Sequence, residues 1–272
     1  MKKSALRSPL RLYPLAILIA GRIGELIIVL ILMGLSMLSL VKALRGKPPT
    51  LRKLAAIDAL EEVVGRASET GRPVLFTPGF GGGYLRGDYA YSTLAGMSIM
   101  TYTARLSVRL GAKFMSMFAM PDAIPLARAL IQEGLRMEGR PEEWKEEMVQ
   151  FASPMQFAYS NEVIATMSRD KVGGVVFVGP YWAEALIFAE VSNTVGAMSV
   201  AGTDQYAQLP FFVGVCDYTL IGEEMYAAGA YLSNDPVQLG SLEGEDWSRI
   251  LMIVLMVGGI AFTSALTALL KL

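Results

Sequence analysis

Two long apolar runs stand near opposite ends of this chain, with about two hundred residues of mixed character between them. Gly24–Val41 carries one charge, Glu25, and Ile250–Leu270 carries none. At a rise of 1.5 Å per residue, each run is long enough to cross the ~30 Å hydrocarbon layer as a helix. The sequence therefore predicts two transmembrane helices and places the function in the segment between them. A composition of 53% hydrophobic and 18% charged residues agrees, being too apolar for an average soluble chain and too charged for one lying wholly in lipid.

The charges are sorted along the chain. Residues 54–247 hold 12 Lys and Arg against 24 Asp and Glu, whereas the remaining positions hold 12 basic residues against Glu25 alone. An acidic domain thus hangs from basic, membrane-proximal flanks. No basic residue falls between Lys171 and Arg249, and so acidic a surface repels phosphate backbones, so nucleic acid is not expected as a partner. The absence of histidine removes the commonest general base, the Ser-His-Asp arrangement and nearly all zinc chemistry, and no metal is expected. The lone Cys216 cannot form an internal disulfide and, without a His partner, reads as a small buried residue.

The first apolar stretch begins at Leu12 and is interrupted by Arg22. A tilted span with Arg22 at one interface explains this, as does an interfacial helix up to Ile23 followed by a span from Gly24. Arg22 and Glu25 fall three apart on one helical face and can neutralise each other. The stretch is too long for a secretory signal and no small-residue cleavage site follows it, so it reads as an anchor. Lys2, Lys3, Arg7 and Arg11 precede the first span, while Lys42, Arg45, Lys47, Arg52 and Lys53 crowd its far end. The denser second cluster points the domain to the cytoplasm.

The predicted organisation is a first transmembrane helix over 12–42 with an interfacial start, a connecting amphipathic helix over 51–70 capped by Thr50, an α/β domain over 72–233, a linker over 234–248 and a second transmembrane helix over 249–271. Within the domain, strands are drawn at Pro73–Thr77, Lys113–Ala119, Met148–Ala152, Gly174–Val178, Ala197–Ala201 and Phe211–Asp217. Helices alternate with them at Asp88–Leu110, Asp122–Met137, Met155–Ser168, Trp182–Thr194 and Glu223–Leu232. Such alternation implies a Rossmann-like, mostly parallel sheet covered on both faces. The punctuation agrees: Phe118 to Pro121, Phe151 to Pro154 and Phe177 to Pro180 repeat the form Phe-x-x-Pro, and proline ends a strand while fitting the first turn of a helix.

In a doubly wound sheet, ligands bind at the carboxyl edge of the strands. That edge collects Thr77–Gly83, where Gly79, Gly81, Gly82 and Gly83 let backbone approach an anion closely. The spacing is not a dinucleotide fingerprint, since the third glycine would fall on Tyr84 or Arg86, and no Gly-x-x-x-x-Gly-Lys-Ser/Thr run occurs. Glu184 and Asp204 are the nearest carboxylates, with Asp122 a third; Asp122 and Glu184 equally suit the first turns of helices. Arg86 can steer an anion to the loop. Tyr84, Tyr89, Tyr91, Tyr181, Trp182 and Tyr206 lie at loop or helix-start positions, as a ligand pocket or a protein contact requires.

The anchor, the Phe-Thr-Pro-Gly-Phe loop at Phe76–Phe80, the Val-Ala-Gly-Thr-Asp-Gln run at Val200–Gln205 and the closing hydrophobic helix resemble a family of uncharacterised prokaryotic membrane proteins. The resemblance spans most of the chain and implies an architecture, with no activity and no catalytic residues to carry over. The expectation is a homo-oligomeric, non-enzymatic assembly or scaffold protein held in the lipid bilayer. The alternative is a membrane-tethered enzyme or receptor that binds a small anionic, phosphate-containing ligand at Gly79–Gly83, Arg86, Glu184 and Asp204. No cofactor is indicated.

Overall fold

A computed structural model of the protein describes residues 23–47, 49, 52–83, 85–233 and 235–270. Its elements run α1 (Ile23–Leu44), α2 (Ala55–Glu69), β1 (Val74–Thr77), α3 (Ala90–Leu110), β2 (Phe114–Phe118), α4 (Ile124–Met137), β3 (Val149–Phe151), α5 (Gln156–Arg169), β4 (Gly174–Val178), α6 (Glu184–Thr194), β5 (Met198–Thr203), α7 (Leu209–Val215), β6 (Tyr218–Ile221), α8 (Glu224–Ser233) and α9 (Pro236–Leu270). The chain divides into two compact units, one over residues 50–239 and one combining α1 with the chain from Gly240 onward.

In the first unit the six strands form one sheet in the order β3-β2-β1-β4-β5-β6, every neighbouring pair parallel. Parallel strands need crossovers, and the helices that supply them cover both faces. Strand residues alternate between two cores with the period of the pleat. Val74, Phe76, Val176, Val178 and Val200 pack under α2, α3, α4 and α8, while Leu75, Val175, Phe177 and Ala201 pack under α5, α6 and α7. The direction of winding reverses between β1 and β4, whose register sets Thr77 beside Phe177.

One expected strand is a helix. Of the expected strand Phe211–Asp217, Phe211–Val215 lies in α7, and the sixth strand follows at Tyr218–Ile221. Pro210 explains the difference: it occupies the first turn of α7, where its fixed φ suits a helix start, and a seven-residue apolar run fits either state by periodicity. The connecting helix begins at Ala55 after Leu54, and its expected cap, Thr50, lies outside the described residues. Residues expected as a linker are helical from Pro236, so α9 runs 35 residues without interruption.

In the second unit α1 has a mean hydropathy of 2.5 and is 11% buried, and α9 reaches 1.6 over Pro236–Ser264. Both are long and apolar enough to cross a membrane. The two helices approach closely where α9 lacks side chains: a Cβ on Gly240 would lie 2.9 Å from Ala43 Cβ, and one on Gly244 would lie 2.7 Å from Ser36 Cα. Lys42 forms an ion pair with Glu243 beside this contact. Gly34, Gly258 and Gly259 face open space instead. Arg22, which pairs with Glu25 in the sequence reading, lies outside the described residues.

Candidate functional site

The loops that follow β1 and β4 leave the sheet on opposite faces, so the carboxyl edge between them is where a doubly wound fold holds its ligands. Gly79, Gly81, Gly82 and Gly83 lie there, but the missing side chains of Gly79, Gly81 and Gly82 make room for the protein's own atoms. A Cβ on Gly79 would fall 2.9 Å from Tyr181 Cγ, one on Gly81 2.7 Å from the Pro180 carbonyl oxygen, and one on Gly82 2.2 Å from Pro78 Cβ. Gly179 closes the contact from the other loop, 2.4 Å from the Pro78 oxygen. A further glycine, Gly96, lets α3 approach the Val178 carbonyl, where a Cβ would stand at 2.3 Å.

Glu184, the first residue of α6, is buried and locks these loops together. Its Oε1 accepts from the backbone N–H of Phe80 at 2.8 Å and of Trp182 at 3.2 Å, and its Oε2 accepts from Gln156 Nε2 at 2.7 Å. A buried carboxylate is stable only when its oxygens are occupied in this way. Beneath it, Tyr159 shares a hydrogen bond with the Thr77 hydroxyl, and the Tyr181 hydroxyl donates to the Thr77 carbonyl. Burial pushes both phenols up from their ordinary value of 10.0, with the Glu184 charge nearby adding to the shift, so both stay protonated.

Asp204, after β5, lies within side-chain reach of the first turn of α3. Its Oδ2 accepts from the Ser92 hydroxyl and from the Tyr226 hydroxyl at 2.7 Å, while Oδ1 accepts from Gln205 Nε2 at 3.0 Å. The N-terminal end of a helix attracts negative charge, and here the protein's own carboxylate stands near it. Burial and the bond to Asp204 raise the Tyr226 phenol, partly offset by the bond to Ser92. An incoming phosphate would meet this charge.

The remaining sequence candidates stand apart. Arg86 is exposed and makes no ion pair among the described residues. Asp122 is exposed in the short turn between β2 and α4. Tyr84 lies outside the described residues. Trp182 packs edge-on against Phe80 at 5.1 Å and against Tyr89 at 6.0 Å, and Tyr91 meets Tyr226 at 5.7 Å. Tyr206 is 75% exposed. Sequence reasoning missed Ser92, Tyr226 and Gln156, whose partners lie up to 134 residues away. No local pattern announces contacts at that separation.

Among the described residues no group of three or more Cys, Asp or Glu could hold a metal ion. Burial pushes the Cys216 thiol up to about 12, and the Asp217 carboxylate adds to the shift, so the thiolate needed for nucleophilic attack is scarce at neutral pH. A cavity of about 760 Å³ opens at the opposite, amino edge of β1, β2 and β3, where Lys113, Arg140 and Lys145 face Glu143, Glu147 and Asp170. None of the glycines, carboxylates or Arg86 singled out above lines it.

Comparison with curated proteins and with solved structures finds no match. One family's sequence model does match, over residues 15–271, from ahead of the first apolar helix to the end of the second. The chain therefore belongs to the family described as a domain of unknown function, DUF6754.

Proposed function

We propose that this protein is an integral membrane protein with two spans whose α/β domain is a non-enzymatic assembly module that binds a second copy of itself. The observation that carries this reading is the outer face of the helical layer α5–α6–α7. Helix α6 is apolar on both sides: Ala185, Phe188 and Ala189 are buried against the sheet, while Leu186 and Ile187 point outward, 39% and 45% exposed. The later outward positions Glu190, Asn193 and Thr194 are polar, so the exposed apolar pair sits in the first half of the helix. Phe211 and Val213 of α7 and Phe157 of α5 extend the exposed apolar surface on the neighbouring helices. Large exposed apolar side chains gathered on neighbouring helices suit an interaction surface. Glu190 follows one turn later on the exposed side of α6 and no basic residue of α6 or α7 offsets it, so a contact between two copies there rests on the apolar side chains.

The closed switch point argues against the alternative of a small anionic ligand, because the glycines receive Pro78, Pro180 and Tyr181, and Glu184 and Asp204 already hold internal donors. The dense cluster Lys42, Arg45, Lys47, Arg52 and Lys53 favours a cytoplasmic domain. The test is the mass of the detergent-extracted full chain by light scattering. An oligomer is expected, and the double substitution Leu186→Glu with Ile187→Glu should lower its mass without unfolding the domain. A strict monomer at every concentration would sink the reading.

A further inference from the structure

The helix-to-strand connections at the amino edge of the sheet are short, with one exception. Those leading into β1, β2, β4, β5 and β6 take two to four residues, whereas α4 and β3 are joined by eleven, residues 138–148. Such connections usually take about two to six residues, and ordering the excess costs conformational entropy that a short turn avoids. The long connection is nevertheless held stiffly. It forms two short 3-10 turns, Pro141–Glu143 and Glu146–Met148, closed by bonds from the Trp144 N–H to the Pro141 carbonyl at 3.3 Å and from the Met148 N–H to the Lys145 carbonyl at 3.0 Å. Trp144 packs against the core under α3 and α4, and Arg140 Nη1 donates to the Val108 carbonyl at 2.9 Å, which ties the connection to the end of α3.

This connection is one wall of the cavity of about 760 Å³ at the starts of β1, β2 and β3, a volume in the range that holds small-molecule ligands. Val108, Phe114, Met115 and Met148 supply apolar lining. Charges of both signs line it as well, and they do not neutralise one another. Lys113, Arg140, Lys145, Glu143 and Glu147 form no ion pair among the described residues, while Asp170 is taken by Arg169. Elsewhere in the domain Arg52, Arg105, Arg109 and Arg136 each pair with a carboxylate. Helices α2, α3 and α5 also end beside the cavity, next to Gly71, Gly111 and Asp170, and the negative end of each helix dipole favours a cation.

We propose that this cavity binds a small zwitterion with an apolar body, the chemistry of a short peptide. Its carboxylate is held by Lys113, Arg140 and Lys145, its ammonium group by Glu143, Glu147 and the helix ends, and its side chains by the apolar lining. An anion alone would meet the two carboxylates, and a cation alone would meet the three basic groups. An occupant carrying both signs satisfies the whole lining. The cavity shares no residue with the switch point or with the exposed face of α6, so the site stands or falls independently of the self-association proposed above.

Isothermal titration calorimetry of the detergent-extracted full chain tests this, with the tripeptide Ala-Leu-Ala as probe beside the same peptide acetylated at its amino end or amidated at its carboxyl end. Saturable binding of the free peptide is expected, weakened about tenfold by either blocking group, as the loss of a charge-assisted contact requires. Lys113→Ala with Lys145→Ala should weaken the free peptide about tenfold and leave the amidated peptide bound as the parent binds it. Glu143→Gln with Glu147→Gln should act in the same way on the free and the acetylated peptide. All four side chains are exposed, so both variants should keep the fold, which an unchanged urea midpoint checks. Absence of saturable binding at millimolar peptide would overturn the proposal. Binding that ignores both blocking groups, or that survives both double substitutions, would overturn it as well, because the peptide would then be held elsewhere or by its apolar side chains alone.

Discussion

Gly81 and Gly65 have the same missing side chain and opposite reasons for it. A Cβ on Gly81 would stand 2.7 Å from a backbone oxygen that cannot move without shifting the loop after β4, whereas Gly65, in α2, has nothing within 4 Å. Gly81→Ala should therefore destabilise the domain by ~1–3 kcal/mol through overpacking, and Gly65→Ala should stabilise it by up to ~1 kcal/mol through a better helix residue. Urea midpoints of the two variants check this, and a tolerated Gly81→Ala would show that the loop is not held by packing. The buried acids add a pH dependence. Cys216 is raised from 9.0 to about 12, and Tyr159 and Tyr181 are raised from 10.0, all by burial first. The fold favours their neutral forms, so that stabilisation is complete below about pH 9 and is lost as pH climbs through the raised values. The urea midpoint should accordingly fall steadily above pH 9, where Cys216→Ser falls less steeply than the parent.

At the scale of elements, close helix packing depends on where α9 places its small residues. Gly240 and Gly244 sit four apart on one face and admit Ala43, Leu40 and Ser36, the spacing by which helices approach in lipid or beside it. Gly244→Leu should separate the pair, and Gly34→Leu, at a position facing open space, should not. The readout is the disulfide between cysteines replacing Lys42 and Glu243, which should disappear in the first variant and persist in the second. This contact was illegible in the sequence because Gly240, Gly244, Glu243 and Asp246 read together as a flexible linker, and only burial against α1 makes that composition helical. The sheet was legible for the opposite reason. Val74–Thr77, Phe114–Phe118 and Gly174–Val178 are short apolar runs closed by Phe-x-x-Pro or Phe-Thr-Pro, where proline ends the ladder, although the helices that follow β1 and β4 start only later, at Ala90 and Glu184. Where proline stood just ahead of an apolar run, at Pro210, the run formed a helix and the strand came after it. The candidate site was legible in place but not in role. Four glycines after the first strand do mark the switch point, yet whether they face a ligand or Pro180 depends on a loop about a hundred residues away.

At the scale of the whole molecule, the charge distribution separates attachment from function. Residues 50–239 hold 14 Lys and Arg against 21 Asp and Glu, while the rest of the chain holds 10 against 4. The domain alone is repelled by anionic lipid, and the basic flanks are drawn to it at about 1 kcal/mol for each residue near the surface. Surface attraction of that kind fails at about 1 M salt, where the Debye length shrinks to about 3 Å. Burial of an uncharged stretch such as Ile250–Leu270, by contrast, does not depend on salt, and each charged residue that a displaced bilayer would take up at its centre costs about 2.5–3.5 kcal/mol. The full chain should therefore sediment with vesicles of phosphatidylglycerol and phosphatidylcholine, stay with them through a high-salt wash and leave only on addition of detergent. Residues 50–239 expressed alone have a core of their own and should remain in the supernatant with the same vesicles at every salt concentration. Release of the full chain by salt would mean that its basic flanks, and not two buried helices, hold it to the membrane.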